Sequence, residues 1–224
     1  MVESGYMKLL LTSAGLTNKS IANALFEMVG KKPEDTTVVF IPTASNIETG
    51  DKDWVINDLM NLKNQNFKEI YMTDISAVSE EVWRPQLEKA DVLFFEGGNT
   101  YHLMRWINKS GLKEMLPELL KTKIWVGVSA GSMVTNKDLQ LKTSQIIYGE
   151  DLKETENMPG LNFVNFYFLP HLNSDYFTKL RKENIEKAVE GMTEKIYCMD
   201  DNGAVKVVDE KVEVITEGEY LEFN

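Results

Sequence analysis

The chain is expected to fold as a doubly wound α/β domain, a mostly parallel sheet with helices on both faces. Three features predict it: short runs that are apolar at nearly every position, longer amphipathic segments between them, and regular alternation of the two kinds. A run without polar alternation suits a strand buried on both faces, as in a parallel sheet. Parallel neighbours need crossovers, and the amphipathic segments supply them as right-handed helical connections.

The elements follow in order. Residues 8–11, 38–41, 70–72, 92–95, 124–128 and 196–199 read as strands of this buried kind. Ile21, Leu25 and Met28 recur at helical spacing, as do Val55, Leu59 and Leu62, and then Leu103, Met104 and Ile107. The aromatic run 163–169 reads as a further strand ending at Pro170. Residues 136–162 have weak periodicity and read as surface loops with a short strand near 146–148. Segments 204–208 and 212–215 flank Asp209-Glu210-Lys211 with partial period-two alternation, which predicts an antiparallel meander finishing the sheet. In such a fold ligands bind beyond the carboxyl ends of the strands, so functional residues are expected just after them.

Length and composition set limits. The 224 residues fit one domain, residues 1–224, with a substantial core. With 35 acidic against 24 basic residues the net charge is -11, which repels phosphate backbones and anionic lipid headgroups, so neither nucleic acid nor a membrane is an expected partner. The apolar run 7–11 is too short for a membrane span and lacks the charged start and cleavage site of a signal peptide. Cys198 is the single cysteine, sits in an apolar run and reads as a buried thiol. Nothing calls for an oxidising compartment, and a cytoplasmic location is expected.

Chemistry concentrates after the strands. Gly127-Val128-Ser129-Ala130-Gly131 follows one and precedes a short helical turn. A serine at a sharp strand-to-helix turn stands clear of the sheet, the flanking glycines relieve crowding, and the next backbone N–H points at an oxyanion. The competing reading is a serine that caps a helix between convenient glycines. A hydroxyl nucleophile needs a base, and the chain has two histidines, His102 and His171. His171 follows a strand and Pro170 and is the better base; His102, at the start of a helix, suits a lining role. Asp200-Asp201 follows the strand 196–199, and either carboxylate can orient the imidazole, while Asp-Asp-Asn-Gly also makes a tight turn. A fourth feature, Glu96-Gly97-Gly98-Asn99-Thr100, is a glycine turn without the Lys-Ser/Thr of a P-loop or a full dinucleotide fingerprint.

In this order the motifs resemble the peptidase E (aspartyl dipeptidase) family, whose relatives include cyanophycinase, over about residues 8–207. The resemblance rests on Gly97-Gly98-Asn99-Thr100, on the pentapeptide around Ser129 and on Pro170-His171. It implies a fold similar to class I glutamine amidotransferase domains and hydrolysis of short peptides through a serine acyl-enzyme without metal or organic cofactor. It also implies roles: Ser129 as nucleophile, His171 as base, Asp201 as the orienting acid, and the N–H groups of Gly98 and Ala130 as oxyanion donors. Asn99, Glu96 and Arg181 are candidate substrate contacts.

The departures bear on substrate. The family usually carries glutamate where Asp201 stands. The essential aspartate of aspartyl dipeptidases, about fifteen residues after the nucleophile, falls on Thr143-Ser144-Gln145, with Asp138 and Asp151 as the nearest acids. Glu96 replaces the first of three glycines. Arg181 matches the arginine that reads the substrate aspartate, and is expected either to serve that carboxylate or to pair with an internal acid such as Glu96. The expected activity is therefore a serine exopeptidase. A serine amidase or esterase on non-peptide substrates, or a silent ligand-binding relative, are the alternatives. The sequence signals no oligomeric state.

Overall fold

A computed structural model describes residues 7–224, so the first six residues of the expected domain 1–224 lie outside the described part. In chain order the elements are β1 (Lys8–Thr12), α1 (Lys19–Val29), β2 (Thr37–Ile41), α2 (Thr43–Asn46), α3 (Asp53–Asn64), β3 (Glu69–Met72), α4 (Glu80–Lys89) and β4 (Val92–Phe95). They continue with α5 (Thr100–Lys109), α6 (Leu112–Leu119), β5 (Ile124–Val128), α7 (Ala130–Met133), α8 (Leu141–Thr143), β6 (Phe166–Leu169), α9 (Lys182–Ala188), β7 (Lys195–Met199), β8 (Gly203–Val208), β9 (Lys211–Thr216) and β10 (Tyr220–Phe223).

Seven strands form one sheet in the order β3-β2-β4-β5-β1-β8-β9. The first five are parallel, and β8 and β9 extend the sheet antiparallel from β1. Burial on both faces follows from the uniformly apolar strands, but not at β3, which was expected to be buried likewise: it is the edge strand of the sheet and leaves Ile70 and Met72 exposed. In β1, Leu9 and Leu11 enter the cluster shared with Trp125, Leu103 and Leu116, while Leu10 enters the opposite one with Ile21, Leu25 and Leu62. Each such leucine contributes roughly 2 kcal/mol relative to an exposed one. Helix α1 shows the local logic. Asn18 caps it by accepting from the Ile21 N–H at 3.0 Å, and Gly30 ends it in the left-handed region at φ 69.

Three further expectations need correction. Strand β7 and the run ending in β6 do not join the main sheet; with β10 they form a second one, ordered β10-β7-β6. The free edge of β1 is taken by β8, which returns antiparallel after the turn at 200–202, so β7 finds its parallel neighbour in β6. The meander is likewise split. β8 and β9 make a hairpin through Asp209 and Glu210, both at positive φ, but β10 leaves to pair with β7. Residues 146–148 form no strand. They belong to a π turn, Ser144–Tyr148, that continues α8 and ends at Gly149 in the left-handed region, with Ile147 buried and Ile146 exposed. Among the described residues no helix is long and apolar enough to cross a membrane.

Candidate active site

Adjacent strands β4, β5 and β1 end side by side, and their next residues are Glu96, Ser129 and Ser13. Ser129 sits at φ 47, ψ -105, a conformation that side chains rarely adopt and that a surrounding structure must hold. Its N–H donates to the Thr12 carbonyl at 3.0 Å. Both glycines of the pentapeptide are required by close approach: a Cβ on Gly127 would stand 2.5 Å from the Gly131 carbonyl group, and one on Gly131 would overlap the Phe95 carbonyl. Ser129 makes no side-chain cap on α7. Its hydroxyl is turned instead to His171.

The second sheet brings the candidate base and acid. His171 follows β6 and Asp201 follows β7, and these strands are paired in parallel. His171 Nε2 lies 3.0 Å from Ser129 Oγ, and His171 Nδ1 lies 2.6 Å from Asp201 Oδ1. Burial alone would raise the Asp201 carboxyl; the His171 hydrogen bond and charge, with a further bond from Ser13, outweigh it and hold the group below the usual carboxylate range. An ionised acid at Nδ1 leaves the Nε2 lone pair facing Ser129. Phe177 stacks on the imidazole with centroids 5.1 Å apart and 27° between planes, restricting ring rotation. The Tyr148 hydroxyl donates to the Pro170 carbonyl at 2.9 Å, fixing the chain just before His171. Asp200 has the turn role: its carboxylate accepts from the N–H groups of Asn202 and Glu219. The two readings of Asp200-Asp201 are thus divided between the neighbours.

A serine on a strained turn, followed in hydrogen-bonded series by a histidine and an aspartate, has the geometry that acyl-transfer hydrolases use. A model of peptidase family S51 matches residues 9–215. The chain belongs to peptidase family S51. An uncharacterized peptidase of Listeria innocua is 27% identical over 191 residues, covering 84% of this chain and 88% of that relative. A peptidase E of Shewanella oneidensis is 32% identical over 92 residues, 41% of this chain and 37% of its own. The crystal structure of a candidate peptidase E from Listeria monocytogenes superposes with a TM-score of 0.78 at 25% identity, covering 96% of this chain and all, 100%, of that one. A peptidase from an acI-B1 actinobacterium shares the fold, with a TM-score of 0.66 at 17% identity over 98% of both chains.

In this S51 chain the remaining candidates separate. Ala130 is the first residue of α7, so its N–H has no intrahelical acceptor and faces the turn at Ser129. Gly98 adopts φ 121 and packs so closely on Ala44 that a Cβ would overlap the Ala44 carbonyl. Asn99 caps α5, accepting from the His102 N–H at 2.7 Å. His102 makes no bond to Ser129; its Nε2 is buried without a partner and burial lowers its pKa. Arg181 is the N-cap residue of α9, and its Nη1 donates to the carbonyls of Ser174 and Leu180, each at 3.0 Å. It does not meet Glu96.

Glu96 continues the face of β4 that carries Val92 and Phe94, toward α3, where Asp58 lies. Asp138 accepts from Gln140, Asn157 and Tyr167, and Asp151 from Ser144, so both nearby acids are engaged away from Ser129. Among the described residues no group of three or more His, Cys, Asp or Glu is placed to hold a metal ion. Sequence reading missed Ser13, Asp58 and Phe177. Asp58 carries a signal, since it shares the inward stripe of Val55 and Leu62, where a carboxylate is out of place. Ser13 and Phe177 carry none beyond standing near strand ends.

Proposed function

We propose that this S51 peptidase is a serine hydrolase of short peptides, with Ser129 as nucleophile, His171 as general base and Asp201 as the acid that orients it. The observation that carries the reading is the unbroken series Ser129–His171–Asp201, at 3.0 and 2.6 Å, with Ser129 on a strained turn. Ser129 Oγ attacks the scissile carbonyl carbon as its proton passes to His171 Nε2. The oxyanion forms between the N–H groups of Ala130 and Gly98. His171 then gives the proton to the leaving amine, the acyl-enzyme remains, and a water activated by the same nitrogen releases the acid.

The relatives named peptidase E support peptides as substrates. An N-terminal aspartate is accepted but not demanded in this reading, because the Arg181 guanidinium is already bound to two main-chain carbonyls. The acidic net charge supports a partner list without nucleic acid or membrane, and the single buried Cys198 supports action in the cytoplasm.

The test combines a serine-directed fluorophosphonate with a panel of aminoacyl and dipeptide reporters. The wild-type protein takes up one label at Ser129 and cleaves reporters; Ser129→Ala loses the label and about 10⁴-fold or more in kcat/KM with its fold intact. Equal cleavage by Ser129→Ala overturns the nucleophile. Labelling with ester but no peptide turnover would move the substrate class to non-peptide acyl compounds, and an unlabelled wild type would point to a silent relative.

A further inference from the structure

The nucleophile and its base stand on different sheets. Ser129 belongs to the seven-stranded sheet, His171 and Asp201 to the three-stranded one, and the 3.0 Å contact between Ser129 and His171 holds only if the two sheets keep their relative placement. Proton transfer needs hydrogen-bond reach, about 2.6–3.2 Å between heavy atoms, so the two sheets have little room to shift against each other.

At this junction lies Ser13, fully buried just after β1. Its Oγ accepts from the His171 backbone N–H at 2.7 Å and donates to Asp201 Oδ1 at 2.9 Å. A serine hydroxyl has one proton and two lone pairs, so both bonds form together, with the proton committed to the carboxylate. The same Asp201 oxygen receives His171 Nδ1 at 2.6 Å, and the longer 3.5 Å separation between Ser13 Oγ and Nδ1 leaves that ring proton to Asp201. His171 has φ 68, an uncommon conformation for a residue with a side chain, and the bond from its N–H to Ser13 helps hold it there. The preceding residue completes the link. The Thr12 carbonyl accepts from the Ser129 N–H at 3.0 Å and from Ser132 Oγ at 2.9 Å. One dipeptide at the end of β1 therefore holds the nucleophile turn through Thr12 and the base and acid through Ser13.

We infer that Ser13 is a positioning residue for the reaction, the side chain that keeps His171 and Asp201 in register with Ser129 across the two sheets. This rests on the serine-hydrolase reading above. Removing the hydroxyl frees the imidazole and its acid to drift from Ser129, and a misplacement near 1 Å lowers rate by about 100-fold. It also returns to Asp201 the share of negative charge that Ser13 neutralises, which strengthens its hold on a protonated His171.

Ser13→Ala is therefore expected to lose about 10- to 100-fold in kcat with little change in KM, and to shift the acidic limb of kcat/KM to higher pH. Ser13→Thr, which keeps the hydroxyl, restores most of the rate. Ser13→Cys, nearly the same size with a weak donor, stays low. Wild-type kcat and pH profile in Ser13→Ala overturn the inference, as does a Cys variant as active as wild type or a loss confined to KM. Should Ser13→Ala fail to fold, the Cys and Thr variants carry the same comparison. The rate of fluorophosphonate labelling at Ser129 is read in parallel. If wild type takes the label but cleaves no peptide, the peptide reading falls and the ratio of labelling rates still decides Ser13. If Ser129 takes no label, both fall.

Discussion

Glu96 is fully buried, no cationic or hydroxyl side chain partners its carboxyl, and the Gly97 N–H alone favours its ionised form. The group it faces is the Asp58 carboxyl, and two carboxyls bond only when one of them keeps a proton. Burial, followed by the charge of Asp58, pushes Glu96 well above the usual carboxylate range; burial raises Asp58 to about 6 against the bond from Glu96. The folded protein thus holds protons that the unfolded chain, with carboxyls near 4, releases. Folding stability therefore falls as pH rises above about 4, through about 6 for Asp58 and on through the higher range of Glu96.

Glu96→Gln supplies an amide donor to Asp58 and removes the need for the proton. The variant should gain on wild type by roughly 1–2 kcal/mol at about pH 8, with the gain shrinking toward about pH 5. Urea midpoints at the two pH values measure it, and a gap independent of pH would falsify the shared proton. At this scale Ser129, His171 and Asp201 were legible because each stands directly after a strand in a small field of candidates. Glu96 was visible as a departure. Its partner was hidden in α3, 38 residues earlier in the chain, where only the misplaced charge on an apolar stripe hints at Asp58.

Among elements, the turn joining β5 to α7 carries the tightest packing near the site. Trp125 of β5 stacks on Phe95 of β4 at 3.7 Å and donates its Nε1–H to the Gly131 carbonyl at 3.0 Å, so the turn is clamped from below. Gly127→Ala inserts a methyl against Gly131. The strained turn has no slack to take it up, and a loss of about 3 kcal/mol in stability is expected, together with slower labelling of Ser129. Thermal melting and labelling rate measure both; a variant with wild-type values would show that the glycine is incidental. The central parallel strands were readable because nearly every position is apolar, a demand that two-sided burial makes; the edge strand β3 was read the same way, yet Ile70 and Met72 are exposed. Residues 146–148 misled for the opposite reason: three apolar residues fit one helical turn as well as a strand, and Gly149 closes the turn as a helix end.

For the whole molecule, the sequence indicated that the C-terminal third contains strands but not which sheet each joins, because pairing there is decided by contacts between distant segments. The same division creates a dependence of the site on the chain's last strand. β10 pairs antiparallel with β7, placing Tyr220 opposite Met199, and Leu221 and Phe223 pack on the cluster around Ile196 and Cys198. At the end of β7 the Asp200 N–H donates to the Glu219 carbonyl at 3.0 Å, and the Glu219 N–H returns a bond to the Asp200 carboxylate at 2.6 Å. Asp201 follows at once. Ending the chain after Gly218 removes these bonds and exposes the outer edge of β7, while the hairpin of β8 and β9 and the seven-stranded sheet keep their pairings. The truncated protein should fold with a lower melting temperature, lose about 10-fold or more in kcat, and change KM little, since in the proposed mechanism a displaced Asp201 weakens His171 as base rather than substrate binding. Circular dichroism separates a retained fold from collapse. Full kcat in a folded truncation would mean that the β7 turn holds Asp201 without β10, and that Ser13 and His171 suffice to fix it.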